Sequence, residues 1–337
     1  MKKSKQPSLS VVIIGRNEGT RLVRCLESVK AMNFPGEEVE IVYVDSASTD
    51  DSPEVATRFG AKVISVKPER PTAALGRNAG WRAAKAPFVL FLDGDTILEP
   101  DFIKKALNEF VNPFTAVVFG HRREIYPNSS IYNRVLDLDW ISPVGNAQYC
   151  GGDALMRREV LEKVNGYNEN LIAGEEPEMC SRMRIEGFLI SHIDAPMTEH
   201  DLAIKHFSQY WRRATRTGYA YAEISQRLRQ TEIPLWKEDV RRNITRTLIL
   251  SFLFFASFTG SLLFSSIIPF IAFLIFFLFM SLRSAYKMRW KTNDLYTLLL
   301  YGFHSQLQHF PIFVGQLQFY RDKNTANRRG LIEYKEA

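Results

Sequence analysis

Short apolar runs alternate with amphipathic stretches from Leu9 to Phe119. Leu9 to Ile14 reads as a buried strand. Thr20 offers a helix cap, and Leu22, Cys25, Leu26 and Val29 recur on one helical face behind it. Val39 to Val44 reads as a second strand ending at Asp45. Ser52-Pro53 is a cap followed by a first-turn proline, which opens a short helix. Lys62 to Val66 is a third strand, Ala73 to Ala84 a helix, and Phe88 to Leu92 a fourth strand running into Asp93-Gly94-Asp95. Ala116 to Phe119 is a fifth. Strand–helix alternation at this spacing predicts an α/β domain on a mostly parallel, doubly wound sheet. Ligands bind such sheets at the carboxyl ends of the strands. Here those ends carry Arg16-Asn17-Glu18, Asp45, Asp93 and Asp95.

The pattern loosens from His121 to Cys150, where Pro127, Pro143 and Gly145 predict a long loop. Gly151-Gly152-Asp153 precedes a helix near Glu159 to Val164, and Gly174-Glu175-Glu176-Pro177 opens another. Leu189 to Ile193 reads as a strand and Lys205 to Arg229 as a long basic helix. No internal repeat or low-complexity tract is visible.

From Thr247 to Leu282 the chain carries no charged residue. A single helix over that run would be about 54 Å long against a hydrocarbon core of about 30 Å. Two spans fit, with a break near Ser265-Ser266 or Pro269. Arg241, Arg242 and Arg246 precede the run; Arg283, Lys287, Arg289 and Lys291 follow it. Basic flanks on both sides predict a hairpin with both ends cytoplasmic. Leu295 to Tyr320 is also uncharged apart from its histidines and is interrupted by Pro311. A third span would carry Arg321, Lys323, Arg328 and Arg329 to the far side, so an interfacial or re-entrant segment is expected. The expected organisation is a catalytic domain over 1–240 and a membrane-associated region over 241–337, ending in a basic cytoplasmic tail.

Composition adds little to this picture. The formal net charge of +6 comes from basic residues bunched beside the apolar run, which fits membrane flanking and not a nucleic-acid stripe. Cys25, Cys150 and Cys180 are odd in number and widely spaced, suiting a reducing compartment. Val11 to Ile14 is too short for a signal-peptide core and reads as a strand. The catalytic part is therefore expected on the cytoplasmic side of the plasma (inner) membrane.

Two acidic signals carry chemistry. Asp93-Gly94-Asp95 at a strand end sets two carboxylates toward one divalent cation and a diphosphate; hard oxygen ligands suit Mg²⁺ or Mn²⁺. An isolated pair of this kind is often only solvated charge, and its position after the fourth strand is what raises it. Glu175-Glu176 at a helix start satisfies the helix dipole, or supplies a general base for an acceptor hydroxyl.

Taken together, the chain from Leu9 to Gly218 resembles the inverting family 2 glycosyltransferases with a GT-A, Rossmann-like fold. The resemblance rests on Val12-Ile13-Ile14 with Arg16-Asn17-Glu18, on Val44-Asp45-Ser46-Ala47-Ser48-Thr49-Asp50, and on Gly76-Arg77-Asn78-Ala79-Gly80. It continues through Leu92-Asp93-Gly94-Asp95, Gly152-Asp153-Ala154 with Met156-Arg157-Arg158, and Gly166-Tyr167, to Gly174-Glu175-Glu176 with Arg182. It implies a nucleotide-sugar donor, a UDP-sugar first, and a divalent cation. Asp45 matches the residue that meets the nucleotide base and Glu18 a nucleotide-side acid. Arg77 and Asn78 match residues lining the ribose and diphosphate. Asp93 matches the acid nearer the ribose and Asp95 the metal ligand. Glu176 matches the base, with Glu175 as the alternative. A later histidine often completes the metal shell in this fold; His200 is the best placed here and His206 second.

The chain departs from the family pattern in three places. The acidic pair is Glu-Glu where the family has Glu-Asp, Pro177 follows it directly, and Asp153 stands where asparagine is usual on the acceptor side. On the long basic helix, Arg212 or Arg213 reaches the phosphates or is solvated charge, and Trp211 with Tyr210 stacks on an acceptor sugar or joins the core. Processive synthases of the family carry Gln-x-x-Arg-Trp; Ser208-Gln209-Tyr210-Trp211-Arg212-Arg213 does not match it, which favours single-sugar transfer to a lipid-linked or glycan acceptor at the membrane. The alternatives are a processive synthase, separated by product length, and a non-catalytic binding protein, for which the acidic set should have decayed.

Overall fold

The computed structural model describes residues 7–36, 38–67 and 69–325. Arg328 and Arg329 lie outside them. The chain divides into two compact units, one formed by the residues up to Ile125 with Trp140–Leu202, the other by Tyr126–Asp139 and everything from Ala203.

The first unit is a mixed nine-stranded sheet with helices around it. In chain order it contains β1 (Leu9–Gly15), α1 (Thr20–Lys30), β2 (Val39–Asp45), α2 (Ser52–Arg58), β3 (Lys62–Ser65), α3 (Ala73–Ala83), β4 (Phe88–Asp93), β5 (Thr96–Leu98), α4 (Phe102–Glu109) and β6 (Thr115–Glu124). The chain then leaves for α5 (Ile131–Asp139) and returns as β7 (Gly145–Ala147), β8 (Ala154–Arg157), α6 (Arg158–Lys163), α7 (Glu175–Ile185) and β9 (Leu189–His200). The strand order is β3-β2-β1-β4-β8-β6-β9-β5, with β7 on β9. Strands β3, β2, β1 and β4 are parallel to one another, as are β6 and β9; β8, β5 and β7 join antiparallel.

Both faces of the parallel block are apolar, which is why β1 and β4 read as unbroken hydrophobic runs. Val11, Ile13, Leu90 and Leu92 pack with α1 and α4 on one side. Val12, Val44, Val89 and Phe91 pack with Trp81, Met179 and Met183 on the other. Helix α3 can lie close to the sheet because a Cβ on Gly80 would sit 2.2 Å from Val12 Cγ1.

Three elements differ from the sequence reading. The loosened stretch after His121 holds α5 and β7, not one long loop. Strand β6 continues past Phe119 to Glu124, and β9 past Ile193 to His200, through polar residues that hydrophobicity alone does not mark as strand. His200 is consequently the last residue of a strand and not a loop residue after one.

The second unit comprises α5 with α8 (Phe207–Leu228), α9 (Lys237–Leu263), α10 (Ile268–Met288), α11 (Leu295–Leu307) and α12 (His309–Asn324). Helices α9 and α10 are long and apolar enough to cross a membrane. They break at 264–267, which includes the expected Ser265-Ser266, and Pro269 sits in the first turn of α10, where a missing N–H does no harm. Helix α8, read from sequence as part of the catalytic region, clusters with these helices. Its backbone touches that of α12: a Cβ on Gly218 would lie 1.9 Å from Ile312 O, and one on Gly315 2.0 Å from Thr215 O. Small residues permit this approach. Helix α5 is fastened to the same unit by Tyr301 Oη donating to Asp139 (2.8 Å) and by the Arg134–Asp294 ion pair (3.0 Å).

Candidate active site

The carboxyl ends of β1 and β2 form one hydrogen-bonded loop pair. Asn17 and Ala47 both adopt positive φ, 55° and 60°, a conformation that non-glycine residues enter only when neighbours enforce it. The neighbours are at hand. Asn17 N–H donates to Ser48 Oγ (2.9 Å), Thr49 N–H donates to Asn17 Oδ1 (2.7 Å), and Gly19 N–H donates to Asp50 Oδ2 (3.1 Å). Asp45, buried at the end of β2, accepts from Ser48 N–H at 3.2 Å. Glu18 pairs with Arg21 at 3.0 Å. A rigid, polar rim thus stands where the sheet's ligand end begins.

Next along the sheet is the turn after β4. Asp93, Asp95 and His200 each offer a ligand atom, and the three atoms lie within 4.8 Å of one another. His200 Nε2 is 3.3 Å from Asp95 Oδ1. Strand pairing produces this meeting: β5 follows the Asp95 turn and runs antiparallel to β9, opposing Thr96 to His200. Two carboxylates and an imidazole leave several coordination positions open, a donor set that fits Mg²⁺ or Mn²⁺ together with phosphate oxygens.

Arg77, on α3 and nearly fully buried, bridges this group to the acidic pair of α7. Its guanidinium lies 2.8 Å from Asp93 Oδ1, 3.0 Å from Glu175 Oε1 and 2.9 Å from Glu176 Oε1. Gly174, in the left-handed region (φ 84°), starts α7 so that both glutamates fall in its first turn. Burial pushes the Glu176 carboxyl up to about 7; the neighbouring Glu175 charge adds to the rise and Arg77 opposes it. A carboxyl poised near neutrality can take or hold a proton.

Asp93 is gripped from its other side as well. Arg122, at the end of β6, lies 3.3 Å from Asp93 Oδ2, and its Nε donates to Asp153 Oδ2 at 3.0 Å. Asp153 Oδ1 accepts the Asp93 backbone N–H (3.0 Å), and Asp153 Oδ2 accepts Thr198 Oγ1–H (2.8 Å). Burial raises the Asp153 carboxyl above its ordinary range, with Arg122 working against the rise. The Trp140 indole carries Arg122 over its ring, 5.4 Å from the centroid, and packs edge-on against His200 at 5.2 Å.

The structure therefore draws Arg77, Asp93, Asp95, Asp153, Glu175, Glu176 and His200 into one connected set. Asn78 lies beside it in a different capacity. Its amide donates to Tyr167 O (2.8 Å) and Glu169 Oε1 (2.7 Å), and its oxygen accepts from Tyr167 N–H (2.9 Å) and Trp81 Nε1–H (2.8 Å). All four hydrogen-bonding positions of Asn78 are occupied within the fold. Trp211, Arg212 and Arg213 stand on α8, in the other unit. His206 caps that same helix. Arg122, Thr198 and Trp140 escaped the sequence reading. The strand-end rule reaches Arg122 once β6 is known to run through His121-Arg122-Arg123-Glu124.

A match to the family described as glycosyl transferase family 2 covers residues 10–164. Among curated proteins, the chain is 22% identical over 197 residues to glycosyltransferase AglE of Haloferax volcanii, covering 56% of this chain and 65% of that protein. It is 23% identical over 229 residues to the probable glycosyltransferase YdaM of Bacillus subtilis, covering 62% and 54%. The matches thus span less than two thirds of either relative. Among solved structures, the mannosyltransferase PcManGT from Pyrobaculum calidifontis, determined with GDP-Man and Mn²⁺, superposes with a TM-score of 0.62 at 19% identity over 93% of this chain and 88% of that one. That is a likeness of fold.

Proposed function

Residues 10–164 constitute a glycosyl transferase family 2 domain, and from that premise we propose that this glycosyltransferase moves a single sugar, with inversion, from a nucleotide-sugar to a membrane-associated acceptor. The acceptor is a lipid-linked saccharide or glycolipid in the synthesis of cell-envelope or exopolysaccharide glycans. The observation that carries this reading is the convergence of Asp93, Asp95 and His200, joined through Arg77 to Glu175 and Glu176. The fold-related mannosyltransferase, solved with a nucleotide-sugar and Mn²⁺, is in keeping with it.

In this proposal Glu18 and Asp45 bound the nucleotide, with a UDP-sugar as the first candidate donor. Asp95 and His200, with Asp93 alongside, would hold a divalent cation, which when bound would supply charge to neutralise the diphosphate. Glu176, or Glu175 in its place, takes the proton of the acceptor hydroxyl. The acceptor oxygen bonds to the anomeric carbon as the bond to the diphosphate breaks on the opposite face. Arg77 aims the glutamates and offsets their charge. Asn78 fixes the Gly166-Tyr167 turn behind Arg77. Asp153 secures the Asp93 turn from the acceptor side, and Trp211, Arg212 and Arg213 of α8 serve the acceptor or its phosphate. The catalytic region, 1–240, faces the cytoplasm, and the helices from 241 onward sit in the plasma membrane.

The test is a hydrolysis and thermal-shift screen of the purified full chain against nucleotide-sugars, with and without Mn²⁺. A cation-dependent response to one donor supports the reading. Silence toward every donor in the presence of cation overturns it, and product length on a defined acceptor separates single transfer from polymerisation.

A further inference from the structure

The charge-free run predicted from sequence is bounded by Arg246 and Arg283, and the helical hairpin carries both to its open end. Arg246 lies 18 residues before the 264–267 break (264 − 246) and Arg283 16 residues after it (283 − 267), so the two stand at nearly the same level of the helix pair. Arg242 is matched by Asp239. Arg246 meets only the His309 ring, at 3.4 Å, and among the described residues no carboxylate pairs with Arg246 or Arg283. Like charges gathered without a counter-ion at the edge of an apolar bundle are unfavourable, and an anion relieves them.

One helical turn along α9 from Arg246, at Leu250, begins an apolar groove of about 670 Å³, within the roughly 300–1,000 Å³ usual for small-molecule sites. Its walls include Leu250 and Phe254 of α9, Phe273 of α10, Phe303 of α11 and Phe310 of α12, with Trp211 of α8 also lining it. Leu250 follows Arg246 by one helical turn, so the two share a face. Phe310 follows His309 directly. The groove and the arginines are therefore two ends of one feature.

We infer that the open end of the hairpin is a binding site for a phosphate-headed lipid, its headgroup on Arg246 and Arg283 and its hydrocarbon chain in the groove. Guanidinium groups suit this headgroup because they present paired N–H donors to phosphate oxygens. Inorganic phosphate would leave the groove without an occupant, and an uncharged hydrocarbon would leave the arginines without a counter-charge. General attraction of basic flanks to an anionic membrane surface would be indifferent to the groove. The inference rests on the reading that α9 and α10 lie in a membrane and adds the chemistry of one bound lipid.

The test uses the full chain in nonionic detergent, with farnesyl monophosphate, farnesol and inorganic phosphate as probes in native mass spectrometry. One farnesyl monophosphate should bind per chain, saturably, while farnesol and inorganic phosphate bind at least tenfold more weakly. Arg283→Gln, at an exposed position, and Leu274→Trp, which fills the groove, should each weaken binding at least tenfold with the melting temperature unchanged; Arg246→Gln should do the same where it folds. Equal binding of farnesol, non-saturable binding, or full affinity in Arg283→Gln and Leu274→Trp overturns the lipid site and leaves the membrane reading standing. Monodisperse behaviour of the full chain without detergent overturns the membrane reading itself.

Discussion

Arg77 and Glu176 form an ion pair of 2.9 Å, with the arginine side chain 4% exposed and the glutamate 12%. The same guanidinium reaches Asp93 of the candidate metal-holding group, at 2.8 Å. One buried cation thus ties the carboxylate proposed for the donor side to the carboxyl proposed as the base. The two signals that stood apart in the sequence are a single electrostatic unit in the fold, and its behaviour can be examined at each member.

A base role for Glu176 requires the ionised carboxylate, and burial pushes its carboxyl up to about 7. The ionised fraction therefore grows as pH rises through that value. kcat/KM should climb about tenfold per pH unit below 7 and level off above it. Glu176→Gln should lower kcat by about 10²–10⁴ and abolish this acidic limb, with donor affinity retained. A limb that survives in the glutamine variant transfers the role to Glu175, whose own variant then becomes the test.

Removing Arg77 leaves Asp93, Glu175 and Glu176 facing one another in a buried setting. Stripping one partner from such a pair costs about 3–5 kcal/mol, so Arg77→Met should lower the unfolding free energy by an amount of that order, seen as a lower denaturant midpoint. Arg77 also holds Glu176 down against the effect of burial. Any residual activity of Arg77→Met should therefore show its acidic limb displaced to higher pH, a change that destabilisation alone does not produce.

Asp95→Asn removes a charged ligand from the group formed with Asp93 and His200. Mn²⁺ affinity, read by calorimetry on the protein without donor, should fall at least a hundredfold, and His200→Gln should weaken it by at least tenfold. Chelator should silence the unaltered protein reversibly, with activity restored by Mn²⁺ or Mg²⁺. Retained affinity in Asp95→Asn would move the cation to other ligands.

The parallel half of the sheet was readable because β1, β2 and β4 are buried on both faces, and such strands announce themselves as apolar runs. The site was less so. Arg122 sits near the end of a strand that finishes in polar residues, where hydrophobicity no longer reports strand, and His200, though named as a metal candidate, was not recognised as the end of such a strand. Asn78 was legible as a motif member but not as a clamp, since its partners Tyr167 and Glu169 are remote in sequence. Helix α5 was taken for loop because its apolar face docks on helices that follow far later in the chain.

Gly152 is a position where a single methyl group should discriminate chemistry from folding. It precedes Asp153 under the Asp93 turn, and a Cβ there would lie 2.4 Å from Arg77 Nη2 and 3.0 Å from Asp93 Oδ2. Gly152 is not at a positive φ, so alanine brings no backbone strain. The methyl group must displace the guanidinium, which is enclosed by its three carboxylates and has little room to yield. Overpacking of this sort costs about 1–3 kcal/mol, less than loss of the arginine itself. Activity, by contrast, depends in the proposed mechanism on Arg77 aiming Glu176. Gly152→Ala should therefore lose at least tenfold in kcat with a smaller shift in denaturant midpoint than Arg77→Met, and its acidic limb should move upward in the same direction. An unaltered kcat and pH profile in a folded Gly152→Ala protein would mean that the Arg77 bridge is structural and does not govern the base.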